Sequence, residues 1–316
     1  MPLCSSHRSD LIIVPLHYSQ LTCAPRGFQP RTCCRAWKYF LCNSPLQGST
    51  KVFKTRTHKH HAESSYIPSD AKELATSRTT QCIDTRVSTD AILLLLPDPV
   101  TPFSSASYSQ TQTFYLEEHS SAVILDWFTS GRMARGEEWA FEKYRSVNEI
   151  WKQGRRIARD VMLLESPKDS VSATNGNVFS RSRSVRERLA PYACYATLFI
   201  LVPSKSTTLM NEINPEASTP SPIRLRTYHK LTEIISQLSE AYDEIRQMQT
   251  SSPDSIIWSL SPLNQPVPAE SNGAAGSGLI IRVAGLTTEL VRNWLKKALA
   301  PLNGLIGHDA YKNAFA

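Results

Sequence analysis

The apolar residues of this chain arrive in short runs, many with a period of two, and that pattern commits most of the chain to β-structure. From Gln81 onward, Ile83, Thr85 and Val87 alternate with Asp84, Arg86 and Ser88 before the sequence turns continuously apolar through Leu96. A strand passing from a half-wet sheet into a buried one reads this way. The stretch 108–116 alternates again and places Tyr108, Gln110, Gln112, Phe114 and Leu116 on one face. Residues 121–129 and 192–202 are strand-like and apolar, 51–56 is a short strand, and 149–151 and 156–164 flank Gln153-Gly154 as the arms of a hairpin.

Two segments break the pattern with helical spacing. Leu231, Ile234, Ile235, Leu238, Tyr242, Ile245 and Met248 recur every three or four residues, which predicts a helix near 224–249. After a strand at 279–283, Thr287 is placed to cap a second helix near 287–300, with Glu289 in its first turn and Lys296 and Lys297 near its end. The expected fold class is therefore mainly β with two α-helices. Polar stretches rich in Ser, Thr, Pro or Arg at 166–188, 204–222 and 251–278 read as loop insertions.

The chain has 316 residues and a formal net charge of +7, which would suit a nucleic-acid partner. The charge is not evenly spread. Residues 1–62 carry nine Lys or Arg and one acid, and the remainder sums to −1. Cysteine is as lopsided, with Cys4, Cys23, Cys33, Cys34 and Cys42 early and only Cys82 and Cys194 later, so the main body has no disulfide framework. No apolar run approaches the ~18–20 residues of a membrane-spanning helix, and 11–16 is too weak for a signal peptide. These features predict a cytoplasmic protein with no membrane partner.

His58, His60 and His61 are weak candidates for a metal, since alternate imidazoles of an extended loop can share a side; a solvated basic loop is the other reading. Arg181, Arg183, Arg186 and Arg188 alternate with polar residues and either contact phosphates or form a polar loop. The sequence has no GxSxG, HExxH or GxxxxGK[ST] motif. The densest chemistry lies in LPDPVTPF at 96–103 and LDWFTSGRMARGEEW at 125–139. Asp98 sits between two prolines that fix its backbone, while Gly131, Arg132, Arg135, Gly136 and Glu137 combine flexible glycines with forked donors and a carboxylate. An Arg–carboxylate network pinning a turn and a binding surface or ion path are both open readings.

At these residues the sequence resembles the urease accessory protein family UreD, also called UreH. The matching pattern begins at QGSTKVFK (47–54) and runs through both blocks to Arg159, Asp160 and 163–165. It resumes in YACYATLFILVP (192–203) and LIIRVAGLTTELVRNWLKKALAPLNGLIG (279–307). The resemblance implies a body of stacked, β-helical-like layers over 47–316. It also implies a non-enzymatic chaperone that docks on apo-urease with a UreF-like protein and the GTPase UreG, with Ni²⁺ passing transiently and no cofactor held tightly. A conduit must release its cargo, so oxygen ligands suit it better than a tight His/Cys cage. Asp98, Asp126, Glu137 and Glu165 are the expected path or partner-binding residues, with Arg132 and Arg135 orienting them.

Residues 1–46 depart from the family, which carries a YPLKLL-like strand and a glycine-rich segment there, whereas Gly27 is their sole glycine. Composition, charge and cysteine all break at one place, which favours a mis-assembled reading frame upstream of Pro45 over a divergent start. Two rivals belong to other classes. A nucleic-acid binder would use the basic leading segment and the Arg181–Arg188 stretch, and a metal hydrolase would use the histidine cluster.

Overall fold

The computed structural model describes residues 11–13, 51–52, 79–89, 91–166, 183–202, 222–247, 254–263 and 277–315. Its first well-formed strands are β3 (Thr79–Val87) and β4 (Ile92–Leu95), which follow two short ones, β1 (Leu11–Ile13) and β2 (Lys51–Val52). The single strand expected over 81–96 is thus two. A turn in which the Ala91 amide donates to the Ser88 carbonyl at 3.1 Å carries the chain from one sheet to another. The change of pattern marks that crossing: β3 alternates because its sheet is wet on one face, and β4 is buried throughout because its sheet is covered on both.

The same crossing recurs. After β5 (Thr101–Pro102), strand β6 (Ser107–Leu116) lies parallel to β3, β7 (Ser121–Thr129) lies parallel to β4, and β8 (Lys143–Lys152) lies parallel to β6. Successive long strands therefore alternate between two sheets, and the chain winds as a parallel, β-helical coil. Antiparallel strands then widen both layers. β9 (Arg155–Glu165) returns along β8 through Gln153 and Gly154, whose φ values of 48° and 74° are the left-handed conformations a tight hairpin needs. β10 (Cys194–Val202) pairs with β7, β12 (Ser277–Gly285) with β10, and β11 (Ile256–Pro262) with β12. The sheets run β3-β6-β8-β9 and β1-β4-β7-β10-β12-β11.

Between the sheets, Val87, Leu93, Leu95, Phe114, Leu116, Ile124, Ile150, Phe199 and Leu201 fill one end. The rings of Tyr108, Phe128, Trp139, Phe141 and Tyr144 fill the other. The outer face of the six-stranded sheet is covered by helices. Leu198, Ile200, Ile281 and Val283 meet Leu231, Ile234 and Leu238 of α2 (Pro222–Gln247) and Val291 and Leu295 of α3 (Thr288–Ala298). Thr287 caps α3 as expected, its Oγ1 accepting from the Leu290 amide at 3.2 Å. After a 3-10 turn at Ala300–Leu302, the short α4 (Asn303–Ile306) and α5 (His308–Ala314) close the layer, with Tyr311 and Phe315 plugging its base. No helix among the described residues is long and apolar enough to cross a membrane.

Two stretches read as loops contain structure. Within 251–278 lies β11, whose Ile256, Trp258 and Leu260 face the helices while Ile257 and Ser259 face the other sheet; serines and prolines around it mask the alternation. Within 166–188, and ending one residue past it, is α1 (Val185–Leu189), a helix of one turn. Its capping box is complete: the Ser184 hydroxyl accepts from the Glu187 amide, and the Glu187 carboxylate accepts from the Ser184 amide. Burial of Val185 among the aromatic rings anchors so short a helix.

Candidate functional site

One row of side chains crosses the inner face of the six-stranded sheet: Asp126 on β7 is in register with Thr197 on β10, then Arg282 on β12 and Ser259 on β11. All four face β8 and β9 of the other sheet, where Ser146, Asn148 and Asp160 meet them. Asp126 Oδ2 accepts from Ser146 Oγ and Asn148 Nδ2, both at 2.6 Å, and its Oδ1 accepts from Gln110 Nε2 at 3.0 Å. Gln112 Nε2 donates to Asn148 Oδ1 at 3.0 Å, and the Tyr108 hydroxyl reaches Gln110 Oε1 at 2.8 Å. A connected polar seam thus runs through an otherwise apolar interior.

The seam opens into a cleft of about 330 Å³ between the splayed sheets, lined by Asp126, Ser146, Asp160, Tyr195, Ser259 and Arg282 among others. At its mouth Arg282 Nη2 donates to Asp160 Oδ1 at 2.6 Å, and Thr197 Oγ1 donates to Asp160 Oδ2 at 3.4 Å. The two carboxylates differ in setting. Burial pushes the Asp126 carboxyl above its ordinary range, against the three donors that favour its charged form, and the nearby Asp160 charge pushes the same way. Asp160 instead has a cationic partner whose side chain is 47% exposed. Chemically the cleft offers the carboxylates of Asp126 and Asp160 and the hydroxyls of Ser146, Thr197 and Ser259 among largely apolar walls that include Phe128, Met162, Ile257 and Trp258. Among the described residues no three His, Cys, Asp or Glu side chains gather in a way that could hold a metal.

Of the residues expected from sequence, only Asp126 lies in this seam. Asp98 is on the opposite, helix-covered side of β7, where the Trp127 indole donates to the Pro97 carbonyl at 2.7 Å and Arg292 of α3 approaches Asp98 at 4.0 Å. Glu165 is at the surface at the end of β9, paired with Lys143. His58, His60 and His61 lie outside the described residues.

Arg132 and Glu137 form a clamp across the loop that joins β7 to β8. Arg132 Nε donates to Glu137 Oε2 at 2.7 Å, its Nη2 donates to Oε1, and its guanidinium stacks 3.9 Å from the Phe103 ring. The Ser104 amide adds a bond to Glu137 Oε2 at 3.2 Å, and the Arg132 bonds hold the Glu137 carboxyl below its usual range. Of the two readings of this block, the geometry is that of the turn-pinning network for Arg132 and Glu137, while Arg135 lies at the exposed tip and acts on Glu137 through its charge alone.

Asp160 and Arg282 escape sequence reasoning because each sits in an ordinary strand and they are 122 residues apart. A signal for the seam does exist in β6: Gln110 and Gln112 share a face with Tyr108 and Phe114, and two amides on a buried face need partners across the core.

The fold and the seam define a β-coil body with oxygen donors inside and a clamped loop outside. Comparison with known proteins narrows that class. The family model described as UreD urease accessory protein matches residues 46–315, and the chain belongs to that family. It is 31% identical over 266 residues to urease accessory protein 4 of Cryptococcus neoformans var. grubii, covering 80% of this chain and 67% of that one. It is 30% identical over 265 residues to urease accessory protein D of Oryza sativa subsp. indica, with 84% and 71% covered. The corresponding Arabidopsis thaliana protein matches at 30% over 266 residues, with 84% and 74% covered. These relatives are named as accessory proteins, not as enzymes.

Proposed function

We propose that this chain is a non-enzymatic scaffold for nickel insertion into apo-urease, acting with a UreF-like protein and a UreG-like GTPase, and that Ni²⁺ passes along its polar seam as transient cargo. The observation that supports the path is the pair Asp126 and Asp160 in one cleft, with Asp126 joined to Gln110, Ser146 and Asn148 inside an otherwise apolar body. Oxygen donors hold Ni²⁺ less tightly than imidazole or thiolate. Burial raises the proton affinity of the Asp126 carboxyl, so a proton competes with the metal there and can drive its release onward. Arg282 at the mouth pairs with Asp160 and orients it until a cation displaces it. Asp98 and Glu165, both surface-accessible, belong to the partner-binding side of this reading.

The test is activation of purified apo-urease by Ni²⁺, the UreF-like and UreG-like partners and this chain, with complex assembly followed separately by size-exclusion chromatography. Asp126→Asn and Asp160→Asn should assemble normally and lower the yield of active urease. Assembly with unchanged activation in both variants would remove the path.

A further inference from the structure

The loop between β7 and β8 is rigid at its base and bare at its tip. Gly131, at a φ of 131°, packs so tightly that a Cβ there would overlap the Glu137 carbonyl oxygen. The Trp139 amide donates to the Ser130 carbonyl at 2.7 Å, the Glu137 amide to the Arg132 carbonyl at 3.2 Å, and the Arg132–Glu137 pair locks the two sides together. Inside this frame the 3-10 turn Met133–Arg135 buries none of its residues. Met133 is 48% exposed, a large apolar side chain held bare on a well-fixed turn. Arg135 is exposed with no hydrogen bond or ion pair among the described residues.

The polar Arg stretch noted in the sequence comes to the same place. Arg186 of α1 reaches back to Glu138 at 3.2 Å, and Arg183 and Arg188 flank it. Arg186 takes Glu138 and Arg132 takes Glu137, so both acids of this loop are engaged; Arg135 acts on Glu137 only at a distance, and neither it nor Arg183 forms an ion pair among the described residues. Met and Arg are the residue types enriched at protein–protein interfaces, and a preformed loop spares the ordering cost of docking.

We propose that the Met133–Arg135 turn, with Arg183 and Arg186 beside it, is a preformed knob that docks into an apolar pocket rimmed by carboxylates on a partner protein. The proposal rests on the maturation reading above and names the part of this chain that makes the contact. Met133 fills the pocket and Arg135 meets its acidic rim. The clamp residues hold the knob without touching the partner.

The experiment measures binding of the full chain to immobilised apo-urease, to the UreF-like protein and to the complex of the UreF-like and UreG-like proteins, at 50 and 300 mM salt. The chain carrying Met133→Asp with Arg135→Glu should bind one of these at least about thirtyfold more weakly, as loss of a hot-spot residue does. Met133→Leu with Arg135→Lys should recover most of the affinity, and unfolding midpoints should match the unaltered chain. Higher salt should weaken the unaltered chain more than the charge-reversed one. If the unaltered chain binds none of the proteins, both the maturation reading and the knob fall. If the charge-reversed chain binds every partner as tightly as the original, the knob falls and the maturation reading stands. Loss of affinity for a 20-nucleotide RNA, with protein binding intact, would likewise overturn the knob as a protein-docking element.

Discussion

Replacing Asp126 by asparagine removes a buried charge and changes shape hardly at all, whereas replacing it by alanine removes the acceptor on which three buried donors converge. The two substitutions should therefore separate sharply. Gln110, Ser146 and Asn148 are all buried, and an orphaned buried donor costs about 1–3 kcal/mol. Some re-pairing is available, since Gln110 Nε2 is 3.2 Å from Ser146 Oγ and Asn148 also bonds Gln112, so Asp126→Ala should cost about 2–5 kcal/mol. Asp126→Asn keeps an acceptor for Ser146 and Asn148. It loses charge-assisted strength, but it also escapes the burial cost that raises the carboxyl above its ordinary value of 3.8.

The sign of the pH effect follows from that shift. An acid whose folded-state pKa lies above its unfolded one binds more protons when native across the interval between them. Its contribution to stability is present below 3.8 and is lost as pH rises through the folded value. Stability of Asp126→Asn relative to the unaltered chain should therefore rise with pH above about 4, and at pH 7 it should lie within about 1 kcal/mol of the original or exceed it. Urea unfolding from pH 4 to pH 8, read by fluorescence of the chain's six tryptophans, including Trp258 in the wall of the cleft, measures both quantities. If Asp126→Asn is as damaging as Asp126→Ala, or its relative stability falls with pH, the charge is a net stabiliser and the argument from burial is wrong.

Three further outcomes are expected. Gly131→Ala should destabilise by at least about 2 kcal/mol because φ is positive and backbone oxygens of Glu137 and Pro102 crowd the new Cβ; Gly136→Ala, with a φ of 71° and open space around it, should cost only about 1 kcal/mol. Equal losses in thermal denaturation would contradict the close packing at Gly131. Thr287→Ala should cost about 1 kcal/mol by uncapping α3, and an unchanged unfolding midpoint would show that the cap contributes nothing. Peptide mapping after iodoacetamide treatment at pH 8 should find Cys82 modified and Cys194 spared, since Cys194 is buried and its thiol is pushed up to about 12; modification of Cys194 in the folded chain would refute its burial.

Much of the fold was legible because strands and helices have local periods. The alternation of 108–116, the hairpin glycine, the stripe of α2 and the Thr287 cap all involve residues a few positions apart. Strand β11 is hidden in the sequence because its flanks are polar, and β3 and β4 read as one strand because a change of sheet leaves only a change of alternation behind. Site reading was less complete. Asp126 followed from its place after a buried run, but Asp98 and Asp126 belong to opposite faces of β7, a difference that depends on what covers each face. In the sequence, pinning a turn and binding a partner are both open to Arg132 and Glu137, and the stacking of Arg132 on Phe103 with the Ser104 amide on Glu137 makes them a clamp.

By itself, then, the sequence determined the local elements, the skew of its charge toward residues 1–62 and the block from Asp126 to Trp139 that carries the family likeness. Only the tertiary structure decided that the strands wind between two sheets, that Asp126, Asp160 and Arg282 share one cleft, and that Met133 and Arg135 are left bare on a locked loop. The reason is range. Periodicity is written within a few residues, but whether a polar side chain ends up buried, paired or exposed depends on strands from distant parts of the chain, and burial sets what that side chain can do.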